Sequence, residues 1–260
     1  KEMRIFLRNT TILFCFLLFV STSVNAQKKS RKMIKADQAF SVEQYNKAAE
    51  LYKKAYQSAK SRAIKSEIIF KQAECYRLSG NKKRAESYYK RAIKAKYPDV
   101  LVYLRYADIL RMNEKYSEAK EQYQKYIQLN PTDVSGEMGL KSCDYALSWL
   151  SNPTRYQVEL MPLINSRFSD FSPSFGNGEY SEVFFTSSRS GGFSNKIDDR
   201  TGETFTDIYS SKLNKKGKWS VPTMLAEPIN SVGNEGSVVL NKRGTTMYFT
   251  KCDVQKKKSL

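Results

Sequence analysis

The sequence contains no histidine. That absence removes Ser-His and Cys-His nucleophile pairs, together with every histidine-ligated zinc site. Cysteine is scarce: Cys15, Cys75, Cys143 and Cys252 lie far apart and nowhere take the C-x-x-C spacing of a metal or redox pair. Cys75 and Cys143 therefore read as small buried apolar residues. The apolar run TILFCFLLFV has ten residues, half of the about 20 that a comfortable membrane span needs. Acidic residues are in deficit, 26 against 44 basic, for a formal charge of +18. Such a balance favours anionic partners: nucleic acid, lipid headgroups or an acidic protein surface. The excess is uneven, since residues 27–152 hold 26 Lys/Arg against 14 Asp/Glu and residues 153–260 hold 15 against 11. Most of the basic character belongs to the first part of the chain.

What is present suffices for two ordinary domains, with 260 residues of which 40% are apolar. The N-terminus runs from basic KEMRIFLRN through TILFCFLLFV to STSVNA, with Val24 and Ala26 at the small-residue positions before Gln27. This order predicts a cleavable export signal over residues 1–26, with an uncleaved anchor as the alternative. The expected initiator is Met3.

Residues 33–146 carry a helical pattern with internal repetition. In YNKAAELYKKA (45–55), NKKRAESYYKRA (81–92) and YSEAKEQYQKY (116–126), an alanine is followed four residues later by tyrosine: Ala48 and Tyr52, Ala85 and Tyr89, Ala119 and Tyr123. A further alanine stands twelve residues upstream of each leading one, at Ala36, Ala73 and Ala107. Small residues at both places let two helices of a hairpin approach closely, and the tyrosines fill the space between hairpins. The pattern resembles the tetratricopeptide repeat, best in VLVYLRYADILRMNEKYSEAKEQYQKYIQLNP. Gly80 and Asn81 are expected to turn the second hairpin and Asn113 the third, and DVSGEMGLKSCDYALSWL (133–150) to cap the stack and hide its apolar face.

After Ser151-Asn152-Pro153 the period becomes two, as in YQVEL, EVFFT and TTMYFT, with turn clusters between, so a boundary is expected near 152. This half also repeats. Ile164-Asn165-Ser166 recurs as Ile229-Asn230-Ser231, Asp170 as Glu235 and Ser172 as Ser237, at an offset of 65, and Val183-Phe184-Phe185-Thr186 recurs as Met247-Tyr248-Phe249-Thr250, at 64. KWSVPTML and Asp207-Ile208-Tyr209 supply further strands. Asp170-Phe171-Ser172-Pro173-Ser174-Phe175, Phe185-Thr186-Ser187-Ser188-Arg189 and Asp207-Ile208-Tyr209 resemble WD-type β-propeller blades of envelope proteins; the second copy departs, with Val238 for proline and Lys251-Cys252-Asp253 for Ser-x-Arg. One blade and a half cannot close a ring, so the expected class is α + β multidomain: a tetratricopeptide solenoid (27–152) followed by an incomplete antiparallel β-propeller (153–260).

The serine-rich stretch around SRSGG reads as turn chemistry, because no histidine can activate Ser190 and the stretch opens no helix that could hold phosphate. Asp198-Asp199-Arg200-Thr201-Gly202-Glu203 lacks the D-x-D-x-D-G order of a calcium loop and reads as a solvated insertion. No catalytic, cofactor or metal residue is assigned. Partner-binding candidates come from the helical repeats. In the tetratricopeptide family the first helix of each repeat lines a concave groove, and here those helices carry Phe70, Glu74 and Arg77, then Leu104, Asp108 and Arg111, again 34 apart. A ladder of acid, arginine and apolar side chains suits a partner's peptide or helix; the competing reading is acid–arginine pairing at i, i+3 on a wet surface. Outer-face lysines such as Lys53, Lys82 and Lys90 read as solvated or lipid-facing. The order signal, repeats, blades resembles the N-terminal part of OmpA-family envelope proteins of gram-negative bacteria, including components associated with type IX secretion. That resemblance implies a non-enzymatic periplasmic scaffold at the outer membrane that binds envelope proteins, without nucleic acid or small-molecule substrate. The alternatives are the interaction region of a propeller-linked hydrolase and a basic membrane-surface binder.

Overall fold

The computed structural model describes residues 30–176 and 178–252. The expected signal at 1–26, with Cys15, lies outside the described residues. Among the described residues seven helices come first: α1 (Arg31–Ser41), α2 (Tyr45–Ser58), α3 (Arg62–Leu78), α4 (Lys82–Lys94), α5 (Leu101–Met112), α6 (Tyr116–Leu129) and α7 (Ser135–Ser151). Each packs against the next in sequence, giving three antiparallel hairpins and a seventh helix on the end. The alanines explain the close approach: Ala36, Ala48, Ala73, Ala85, Ala107 and Ala119 are all fully buried, as are Tyr52, Tyr89 and Tyr123 one turn further along. Caps fix several starts, with Ser30 Oγ accepting the Met33 N–H at 3.3 Å and Asn81 Oδ1 the Arg84 N–H at 3.1 Å.

The hairpin turns share one device. Glu43, Gly80 and Glu114 stand at equivalent places, and all three take the left-handed conformation, at φ of 60°, 81° and 63°. Asn113 lies in the third turn as expected, with Glu114 taking its left-handed place, and the Asn113 amide also donates to Glu86 of the preceding hairpin at 2.7 Å. Helix α7 does close the stack, with Gly136 and Gly139 seated against Ile127 and Tyr123 of α6. Its outer face is not polar, however: Met138, Tyr145 and Trp149 are exposed. Cys75 and Cys143 are buried free thiols, and burial pushes the Cys75 thiol up to about 12. No described helix is long and apolar enough to cross a membrane.

The second half holds two antiparallel sheets. One has the order β1-β2-β3-β4, from β1 (Asp170–Phe175), β2 (Glu182–Ser187), β3 (Asp207–Lys212) and β4 (Thr223–Met224); the other pairs β5 (Glu235–Leu240) with β6 (Met247–Lys251). The sequence repeat is a structural repeat. Both units carry a bulge, between Phe171 and Ser174 and between Gly236 and Val239. The equivalent residues Ser172 and Ser237 are left-handed there, at φ of 50° and 52°. Ile229, Val238, Leu240, Met247 and Phe249 of the second unit pack on Phe184 and Ile208 of the first. Among the described residues the β half is a small antiparallel region of one four-stranded and one two-stranded sheet; no sheet closes into a ring, and these two sheets do not by themselves make a propeller. Two strand expectations also change. YQVEL forms no strand, and KWSVPTML contributes only the two residues of β4 and an isolated bridge from Trp219 to Leu213.

The 198–203 loop is not a free insertion. The Asp199 carbonyl accepts the Asn46 and Lys47 N–H groups at 2.9 and 3.3 Å, at the start of α2, where Gln44 supplies no side-chain cap. Lys47 pairs with Asp199 at 3.2 Å and Arg200 with Glu43 at 3.1 Å. Gly202 lies so close to Asn46 that a Cβ there would stand 2.7 Å from its side chain.

Candidate partner-binding groove

The residues on the first helix of each hairpin are organised by the tyrosines of the second. An acid and a tyrosine fifteen positions apart meet in every hairpin: Tyr52 donates to Asp37 at 2.5 Å, Tyr89 donates to Glu74, and Tyr123 donates to Asp108 at 2.7 Å. In the second hairpin Arg77 completes a triangle, with Nη2 2.6 Å from Glu74 and Nε donating to the Tyr89 hydroxyl at 3.2 Å. Arg111 repeats the contact with Tyr123 at 3.2 Å. The first hairpin has Phe40 where the others have arginine. Burial, then the Glu74 carboxylate, pushes the Tyr89 phenol up, against the pull of Arg77. Arg77 is itself raised by Glu74 and Tyr89, which outweigh its burial.

Glu74 and Arg77 thus close a triangle with Tyr89, while Asp108 and Arg111 meet at the Tyr123 hydroxyl, and all four charged side chains are part-buried. Phe70 and Leu104 lie deeper. Phe70 is 7% exposed and stacks on Tyr97 with centroids 4.4 Å apart, and Leu104 is 6% exposed in the same core. A row that the sequence did not single out lies beside these contacts: Ile34, Lys71 and Arg105, at equivalent positions of α1, α3 and α5. Ile34 is exposed, and Lys71 lies 5.2 Å over the Phe40 ring. Arg105 reaches Asp108 only at 3.8 Å, and its Nε is buried without a hydrogen-bond partner among the described residues. The signal for this row was available: it is the 37- and 34-residue repeat, applied to positions three before each acid. Together these rows offer a partner fixed carboxylate edges, two cations and an aliphatic side chain.

A concavity of about 1060 Å³ lies between the hairpin turns and the first sheet unit. It is lined by Lys82, Lys83, Glu86 and Lys115 on one side and Thr201 and Glu203 on the other. Much of its charge is already engaged. Lys115 pairs with Glu86 at 2.6 Å, Lys82 donates to the Met112 carbonyl at 3.3 Å, and Ser188 donates to Glu203 at 2.5 Å.

The serines of the β half are wired to one another's turns. Ser187 donates to Asp170 at 2.6 Å and accepts from Arg189 Nε at 2.8 Å, while Arg189 Nη2 donates to Asp170 and to the Ile164 carbonyl at 2.8 and 2.7 Å. Burial would raise the Asp170 carboxyl, but Ser187, the Ser166 backbone and Arg189 outweigh it and hold it below the usual range. In the second unit Lys251 takes over, donating to the Ile229 carbonyl at 3.2 Å and lying 3.7 Å from Glu235. The departure from Ser-x-Arg is therefore compensated by a cation from a neighbouring position.

With this geometry in view, the repeats can be placed. Residues 66–98 and 100–133 match the tetratricopeptide repeat family. Those ranges cover the second and third hairpins; the first hairpin lies outside them. No curated protein matches the chain. Among solved structures, the UNC-45 chaperone that binds and folds muscle myosin aligns with 48% of this chain at 19% identity and a TM-score of 0.43. The Hsp90 co-chaperone Cns1 from Saccharomyces cerevisiae aligns with 46% at 20% identity and 0.43, and the first tetratricopeptide domain of Spaghetti (RPAP3), bound to an HSP90 peptide, with 47% at 22% and 0.42. The chain spans 14% of the UNC-45 chain, 39% of Cns1 and 95% of the Spaghetti domain. The tetratricopeptide solenoid is a protein-interaction module. Its helical layout does not by itself say what this chain binds.

Proposed function

We propose that this chain is a non-enzymatic scaffold of the bacterial cell envelope, exported to the periplasm and associated with the outer membrane, which holds partner proteins through its helical groove. The observation that supports the reading most is the groove's built floor: carboxylates locked by tyrosine hydroxyls beside Arg105, whose buried Nε lacks a partner among the described residues. Such a surface is preorganised, so a bound peptide or helix does not have to order it. The β half is read as blade-type units of an OmpA-family envelope protein, of the kind associated with type IX secretion. The signal-like N-terminus, the order of the parts and the two repeated sheet units support that assignment. On this reading Glu74, Arg77, Asp108 and Arg111 form the rigid floor, and Lys71 and Arg105 make the direct contacts.

The test is a pull-down from envelope fractions with wild-type protein and a Lys71→Glu, Arg105→Glu double variant. Both positions are part-exposed and outside the tyrosine contacts, so folding should persist. Loss of specific envelope proteins from the variant is expected. Equal recovery by both proteins would sink the groove as the binding surface, and partners found only in cytoplasmic fractions would sink the envelope assignment.

A further inference from the structure

Helix α7 stands where the first helix of a fourth repeat would stand. A step of 34 residues carries Val102 to Gly136 and Ile109 to Cys143, and all four are buried. The same step carries Ala107, the small residue that lets α6 approach, to Lys141, with Glu137 and Asp144 one turn to either side. All three are exposed, so the face that a further hairpin would cover is charged. The apolar side chains lie on another stripe. Met138, Tyr145 and Trp149, which share one side of the helix, are 65%, 63% and 72% exposed. Their counterparts in the third repeat are Leu104, Arg111 and Lys115, and in the second Phe70, Arg77 and Asn81. Tyr145 therefore continues the arginine row of the groove with an aromatic ring. Trp149 rides on a turn that α7 adds beyond Ala146, the counterpart of Met112 at which α5 ends.

The charge beside this stripe selects the partner. The groove's carboxylates are answered from within, Glu74 by Tyr89 and Arg77 and Asp108 by Tyr123. Arg105 is not: it comes no nearer than 3.8 Å to Asp108, and its Nε has no hydrogen-bond partner among the described residues. Lys71 of the same row lies over the Phe40 ring. Residues 27–152 as a whole hold 26 Lys/Arg against 14 Asp/Glu. An acidic segment is therefore favoured over a basic one. We propose that the groove takes a partner segment that combines acidic side chains, for Arg105 and Lys71, with one large apolar side chain seated on Met138, Tyr145 and Trp149. Aromatic and methionine side chains are the common anchors of such contacts. Packed helices lie about 10 Å apart, a distance that an extended chain spans in about three residues. The partner's pattern is thus acid, acid and apolar at intervals of about three. The inference rests on the groove reading above and adds the chemistry of what the groove holds.

The probe is a fluorescein-labelled peptide, SESSESSFS, amidated at its C-terminus, together with its reversed sequence, each titrated into the full chain and read by fluorescence anisotropy. Wild type should bind one of the two saturably. A Met138→Ser, Trp149→Ser variant should bind it about tenfold more weakly, the effect of unseating one large apolar side chain, with circular dichroism unchanged because both side chains are exposed. The same peptide with serine for phenylalanine should lose as much with wild type and nothing further with the variant. Unlabelled peptide should shift the emission of Trp149 to shorter wavelength, a change absent from the variant; the other tryptophan, Trp219, packs on the first sheet. Binding of neither peptide, or capture of wild type by phosphatidylglycerol vesicles in place of the peptides, would overturn the proposal. Peptide binding that survives in the Met138→Ser, Trp149→Ser variant but is lost in the Lys71→Glu, Arg105→Glu variant would remove the anchor and leave the groove standing. Binding that survives in both variants would remove the groove as well.

Discussion

Replacing Tyr89 by phenylalanine removes one oxygen atom from the interior of the second hairpin, and the structure sets what that should cost. The hydroxyl donates to Glu74 and accepts from Arg77 Nε at 3.2 Å, so both of its bonds are to charged groups. Such bonds contribute roughly 1.5–3 kcal/mol each in net terms. Two features reduce the sum. Glu74 and Arg77 remain paired at 2.6 Å, so neither charge is stranded, and their side chains are 13% and 23% exposed, so water can replace part of what is lost. The expected destabilisation is therefore about 2 kcal/mol, or roughly 4–8 °C in Tm for a unit of this size. Tyr52→Phe is the internal comparison, because its hydroxyl meets Asp37 and the arginine position holds Phe40; about 1 kcal/mol is expected there. The assay is equilibrium urea unfolding followed by circular dichroism, with the slope unchanged. A cycle of Tyr89→Phe with Glu74→Gln should show coupling above about 0.5 kcal/mol. If Tyr89→Phe left the midpoint within error of wild type, the triangle would be a consequence of packing and not a source of rigidity, and the preorganised groove floor would lose its basis.

Three further outcomes are expected. Glu114→Gly should stabilise the chain by about 0.5–1 kcal/mol, since an exposed glutamate at φ 63° occupies a conformation glycine adopts without strain; a fall in Tm would refute this. Gly139→Ala should destabilise by about 1–3 kcal/mol, because its Cβ would stand 2.2 Å from the fully buried Tyr123 ring, and an unchanged midpoint would mean that α7 shifts freely. Asp207 is buried, with Oδ1 unpartnered among the described residues and its carboxyl raised by burial and by nearby Glu235, against the Phe193 N–H. A raised carboxyl gives stability that is present below the unfolded pKa of about 3.9 and lost as pH rises through the folded value. Asp207→Asn should thus stabilise at pH 7 by on the order of 1 kcal/mol, and the gain should shrink on acidification; a gain independent of pH would contradict it. Asp170, held low, has the opposite sign, contributing above the unfolded pKa and losing that contribution as pH falls through its folded value.

The helical half was legible because its signals are periodic and small. Alanines twelve apart and tyrosines four further on permit only one close packing, and the structure buries every one of them. Turn chemistry was less legible. Glycine marks the left-handed place in the second hairpin, but glutamates fill it in the other two, held there by helix packing on both sides that overrides local preference. The ladder of acid, arginine and apolar side chains gives no sign of its tyrosine partners, which lie fifteen residues away and carry the pattern of core residues. YQVEL alternates as a strand does, but alternation reports a side-chain pattern and says nothing about whether a neighbouring strand exists. The acidic 198–203 loop gave no sign of docking, because the contact uses its backbone carbonyl, which every residue carries.

That carbonyl has a consequence for how the two halves lose structure. Repeat stacks normally melt by fraying inward from whichever end is weaker, each hairpin answering only to its neighbours. Here the first hairpin borrows its second helix's missing cap from Asp199, roughly 150 positions downstream. Unzipping from the N-terminal end therefore cannot begin without also detaching a loop of the first sheet, and damage to that sheet is felt first at the opposite end of the sequence. Hydrogen exchange at the Asn46 and Lys47 amides would report on the integrity of the β half, although both residues belong to the helical one.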